Sequence, residues 1–81
     1  GSSSGLNVYP NPAQDRLEVR AYGLNGATTL RVLDAAGREV LRSAISTIGD
    51  RWSGRVNVDG LSNGVYILMV GGVTTRFAVQ R

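Results

Sequence analysis

The chain has 81 residues, which suits one small domain with a modest core. It contains no cysteine and no histidine, so disulfides, thiolate metal sites and the usual neutral-pH general base are excluded. Its net charge is +3 with a pI near 10.2, and all nine basic residues are arginines scattered among six acids. A nucleic-acid-binding chain would gather them on one face, whereas scattered charge suits a solvated surface with blunted strand edges.

Residues 1–5, Gly-Ser-Ser-Ser-Gly, read as a scar or flexible linker, and the folded domain is expected over 6–81. No signal peptide is legible at the start, and because the chain begins with this scar it is expected to be a piece cut from a longer protein. Both prolines fall in Tyr9-Pro10-Asn11-Pro12. Each fixes φ, removes a donor and pushes the residue before it out of the helical region. The run predicts a rigid corner ahead of a strand that starts near Arg16.

Nothing downstream reads as a helix. Glycine interrupts the chain repeatedly, and the pattern between breaks has period two. Leu17, Val19 and Ala21 alternate with Arg16, Glu18 and Arg20, which predicts a half-buried strand. Tyr22–Gly26 is a loop. Thr28–Leu33 is a strand with Leu30 and Val32 on one face. Asp34–Arg38 predicts a tight hairpin turn, with Asp capping it and Gly37 supplying positive φ. Glu39–Ile45 is the return strand. Ser46–Asp50 is a loop before a strand in which Trp52, Val56 and Val58 share a face, with Gly54 between them. A glycine inside a strand marks a bulge or a close approach.

Asp59–Gly64 predicts a double turn. Val65–Val70 is apolar at every position, so it is expected to be the central strand, covered on both faces. It is far shorter than the roughly 20 residues of a membrane-spanning helix. Gly71-Gly72 predicts a two-residue hairpin turn. The last strand alternates Val73, Thr75, Phe77 and Val79 with Thr74, Arg76, Ala78 and Gln80, and Arg81 is expected at the native C-terminus.

The chain is therefore expected to be all-β, an antiparallel sandwich of about seven strands, with an open barrel as the structural rival. Its expected core is Leu17, Val19, Leu30, Val32, Val40, Trp52, Val56, Val58, Val65, Ile67, Met69, Phe77 and Val79. Tyr66 and Leu68 are expected on the other face of the central strand.

No nucleophile–base pair can be assembled, so no catalytic residue is proposed and the chain is not expected to be an enzyme. The acids Asp15, Asp34, Asp50 and Asp59 sit beside turns or strand ends, while Glu18 and Glu39 lie on strands. Asn57, Asp59, Ser62 and Asn63 carry oxygens close together but lack calcium-loop spacing, and a turn explains the same residue types. No metal or cofactor is expected. Tyr9, Tyr22, Tyr66 and Trp52 could form an aromatic platform for a sugar. A lone Trp with apolar same-face neighbours reads better as core, which leaves Tyr22 as the best exposed aromatic.

The order of these segments carries a resemblance. Tyr9-Pro10-Asn11-Pro12 followed by Asp15 and Leu17 resembles the opening of the type IX (Por) secretion system C-terminal sorting domain. Leu30–Asp34 and then Gly37–Val40 resemble that family's strand, turn and return strand. Leu61 with Gly64-Val65-Tyr66-Ile67-Leu68-Met69-Val70 resembles its later motif, and Thr75–Arg81 its basic last strand. The family usually places lysines in that strand, where this chain has Arg76 and Arg81.

The resemblance implies an immunoglobulin-like β-sandwich that serves as an address label at the end of a larger cargo protein. The cargo would cross the periplasm to the outer membrane, where the type IX machinery recognises the label. A sortase-like peptidase would remove the label, leaving the cargo secreted or on the cell surface. Phe77 and Val79 are expected to anchor the last strand, while Arg76 and Arg81 present charge to the machinery. A carbohydrate-binding or adhesion sandwich module is the alternative.

Overall fold

The computed structural model describes residues 5–24 and 29–81. Most of the expected linker, the end of the Tyr22–Gly26 loop and the expected strand start at Thr28 lie outside the described residues. Among the described residues there are seven strands: β1 Gly5–Tyr9, β2 Arg16–Tyr22, β3 Thr29–Leu33, β4 Glu39–Ala44, β5 Trp52–Asn57, β6 Gly64–Val70 and β7 Val73–Val79. They form a three-stranded sheet in the order β1-β2-β5 and a four-stranded sheet in the order β4-β3-β6-β7. All strand pairings are antiparallel, and the whole is an immunoglobulin-like β-sandwich.

The core lies between the sheets. Leu17, Val19 and Val56 fill it from one side, and Leu30, Val32, Leu68, Val70, Phe77 and Val79 from the other. β1 occupies the approach to the proline corner, where Leu6 and Val8 turn inward and Asn7 outward. Its pairing reaches from Gly5↔Tyr22 to Tyr9↔Glu18.

The central strand corrects the expected face assignment. Tyr66, Leu68 and Val70 point into the core, whereas Val65 is 47% exposed and Ile67 and Met69 are half-buried on the outside. Partner strands set this parity. Tyr66 stands opposite Phe77, and Leu68 opposite Val32. The Tyr66 and Phe77 rings stack with centroids 5.7 Å apart. A run that is apolar at every position carries no alternation, and a one-residue slip exchanges its faces. The expectation that both faces are covered also fails, because only one layer packs on β6.

Val40 is likewise not core. Leu41 lies opposite Val32 but Glu39 lies opposite Leu33, so a bulge leaves Val40 as the extra residue. Val40 is 37% exposed and Leu41 packs on the core instead. Trp52 is partly buried against the core, and its ring lies across Gly54. The close approach marked by this glycine is thus a side chain rather than a backbone.

The turns follow local chemistry. The Asp34 carboxylate accepts from the Ala36 and Arg38 amides at 2.9 Å each, and Gly37 has φ 86°. Gly71 at φ 61° is the first central residue of the β6–β7 hairpin, where a primed turn requires positive φ.

Candidate functional site

The proline corner and the last strand are distant in sequence but meet at one end of the sandwich. The Asn11 side-chain oxygen accepts from the Ala78 amide at 3.0 Å. The Ala13 amide donates to the Ala78 carbonyl at 2.7 Å, and the Gln80 amide donates to the Ala13 carbonyl at 2.9 Å. Ala13 is fully buried and forms a parallel bridge to Val79. Residues 11–13 thus pair with the outer edge of β7, and Leu17 anchors the start of β2 in the core.

Arg81 fastens the same strand from the other side. Its guanidinium donates to the carbonyls of Leu61 at 2.5 Å and Val58 at 2.6 Å. Its amide donates to the Asn63 side chain at 3.2 Å, and Asp15 lies 4.0 Å from its Nε. The Asp15 carbonyl accepts from the Val58 amide at 2.8 Å. Asn57, Asp59, Ser62 and Asn63, weighed above as oxygen ligands, serve this turn and clasp. Asn57 accepts from the Asp59 amide at 3.1 Å, and the Ser62 carbonyl accepts from the Tyr66 hydroxyl at 2.7 Å.

The edge of β7 is therefore covered unevenly. In a two-residue hairpin closed by Val70↔Val73, alternate residues of the second strand direct their backbone groups away from the first. Those residues are Thr74, Arg76 and Ala78. Ala78 is taken by Asn11 and Ala13; among the described residues nothing pairs with the outward backbone groups of Thr74 and Arg76, although β1 lies beside β7.

The four sequence-predicted recognition residues divide accordingly. Phe77 and Val79 are buried, Arg76 is exposed on the outer face, and the Arg81 side chain is engaged and one-third exposed. The remaining motif residues spread along the fold. Tyr9, Pro10 and Pro12 are exposed at the corner, Asp34 and Gly37 form the β3–β4 turn, and Gly64, Val65 and Tyr66 open β6. Sequence reasoning missed the part played by Ala13. An alanine between a proline corner and a strand gives no signal of backbone pairing with a segment so far along the chain.

The site's electrostatics are simple. Glu39 on β4 accepts from Arg31 at 2.7 Å and from Arg42 at 3.0 Å. These bonds, Arg31 first, hold its carboxyl below the ordinary glutamate range. Among the described residues no three acidic groups gather as a metal cluster would need. At the opposite end of β5, a groove of about 710 Å³ is lined by Arg20, Tyr22, Ile48, Arg51 and Trp52.

A model of the secretion system C-terminal sorting domain family matches residues 7–80. The chain belongs to this family. In the sorting domain, the matched stretch runs from the strand before the proline corner to the end of the clasped last strand. The family is a family of sorting signals, not of enzymes.

No curated protein matches the sorting domain. Solved structures share its sandwich. "Bacteroides ovatus GH9" aligns with a TM-score of 0.68 at 15% identity over 94% of this chain and 15% of that one. A single mutant of the thermostable endoglucanase from Alicyclobacillus acidocaldarius aligns with a TM-score of 0.66 at 17% identity, over 95% of this chain and 15% of that one. At such identities the likeness shows the fold alone. The sorting domain spans about 15% of the length of each of these chains.

Proposed function

We propose that residues 6–81 are the C-terminal sorting signal of a larger exported cargo protein. The outer-membrane type IX machinery recognises it, and a sortase-like peptidase removes it near its N-terminal boundary. The cargo passes through the periplasm and ends at the cell surface or outside the cell. The observation that carries this reading is the family match along 7–80.

The geometry supports a role for the last strand. Phe77 and Val79 hold β7 from the core side, and Arg76 presents its charge outward. Arg81 acts by fastening the strand end. The outward backbone groups of Thr74 and Arg76, unpaired among the described residues, offer an edge to a partner strand, a common mode of peptide recognition. The test fuses residues 6–81 to a reporter carrying its own export signal in a bacterium with a type IX system. Surface delivery is expected with the domain and lost without residues 76–81. Delivery that survives removal of the whole domain would overturn the reading.

The groove beside Tyr22, which is 38% exposed, favours the second reading, a carbohydrate-binding or adhesion module. Such a module would persist on the mature protein and be retained on a glycan affinity gel. A sorting signal would disappear from the mature protein and pass through.

A further inference from the structure

The outer face of the four-stranded sheet is apolar along its middle. β2 turns Arg16, Glu18, Arg20 and Tyr22 to the outside, as a water-facing strand should. β6 turns out Val65, Ile67 and Met69. The register sets Leu33 and Arg76 on either side of Ile67, Arg31 and Thr74 on either side of Met69, and Ala78 beside Val65. None of Leu33, Val65, Ile67 or Met69 packs on the core. Contiguous apolar surface of this kind marks interaction sites.

Arginines frame the stripe. Arg31 and its cross-strand neighbour Arg42 border one side, and Arg76 the other. Glu39 is the one carboxylate beside them, and both Arg31 and Arg42 bind it. Arg76 takes part in none of the ion pairs among the described residues. The face therefore combines an apolar centre with surplus guanidinium charge at its rim. It adjoins the edge of β7 at Thr74 and Arg76, whose outward backbone groups are unpaired among the described residues.

We infer that this face, centred on Ile67 and Met69, docks on a protein surface of the secretion machinery that is apolar at its centre and bears carboxylates at its rim. The inference rests on the sorting-signal reading and adds to it the sheet face that adjoins the β7 edge and shares Arg76 with it. Buried apolar anchors would supply the affinity, and rim arginines would steer approach and fix orientation.

The test uses the cargo–domain fusion in a type IX bacterium. One variant carries Val65→Thr, Ile67→Thr and Met69→Thr, which keep β-forming side chains outside the core. A second carries Arg42→Glu and Arg76→Glu, so that the face can be probed even if the first variant fails to fold. Circular dichroism and melting of the purified domain establish folding. The expected result is a folded domain whose surface delivery falls about tenfold or more, as loss of an interface anchor implies. If folded variants are delivered like the parent while deletion of the domain stops export, the docking face is wrong and the sorting reading stands. If deletion has no effect, the sorting reading itself fails. A parent domain that dimerises in solution through this face, with the threonine variant monomeric, would make the stripe a self-contact and overturn the inference.

Discussion

Asn11 and Ala78, 67 residues apart, are joined by a hydrogen bond of 3.0 Å from the Ala78 amide to the Asn11 side-chain oxygen. The proline corner is thereby one half of a clasp whose other half is the last strand. Truncation of Asn11 tests this bond. Asn11→Ala should destabilise the domain by about 1 kcal/mol, the usual net worth of such a bond. Hydrogen exchange at the Ala78 amide should speed up more than exchange in β2.

Arg81 closes the clasp from the turn side with two guanidinium nitrogens on two carbonyls. Arg81→Ala should cost about 1.5 kcal/mol, the lower end of the range for charge-assisted bonds. Arg81→Lys should recover only part of it, because a compact ammonium cannot reach both carbonyls with a planar fork. Denaturant melts of the three proteins give the comparison.

Gly54 has no room for a side chain. A Cβ there would lie 2.5 Å from the Trp52 ring. Gly54→Ala should swing the indole off the strand and cost about 1–3 kcal/mol, the range for overpacking. Trp52 is the only tryptophan, so its fluorescence should shift to the red as the ring meets water.

Glu39 makes stability depend on acid pH. Its folded pKa lies below the ordinary glutamate value because Arg31 and Arg42 bind the charged form. The contribution is complete above the unfolded pKa of about 4.3 and is lost as pH falls through the lower folded value. Glu39→Gln should flatten this acid limb of the Tm–pH curve. Because the group is exposed, the effect should be small and should shrink with added salt.

The Tyr66 hydroxyl ties the central strand to the turn before it through the Ser62 carbonyl. Tyr66→Phe should keep the ring stack on Phe77 and lose about 1 kcal/mol in a thermal or denaturant melt.

Much of the fold was legible in the chain. Alternation placed Leu17, Val19, Leu30, Val32, Phe77 and Val79 in the core, where all are buried. Turn chemistry placed Asp34 and Gly37 where the carboxylate and the positive φ are found. Local steric and hydrogen-bonding preferences act within a few residues, so a sequence displays them directly. The ordered motifs likewise led to the family that matches residues 7–80.

Tertiary structure alone decided what depends on a partner strand. The inward face of β6 follows from its register with Phe77 and Val32, and the exposure of Val40 follows from a bulge against β3. The pairing of Ala13 with β7, and the docking of Arg81 on the β5–β6 turn, bring together groups with no local relation. Backbone pairing is blind to side-chain identity, and an uninterrupted apolar run has no parity of its own. Local patterns in the chain determined β2 to β7, the turns and the family, whereas β1, ahead of the proline corner, gave no such signal. Long-range register determined which side of β6 faces water, and with it the apolar surface turned outward.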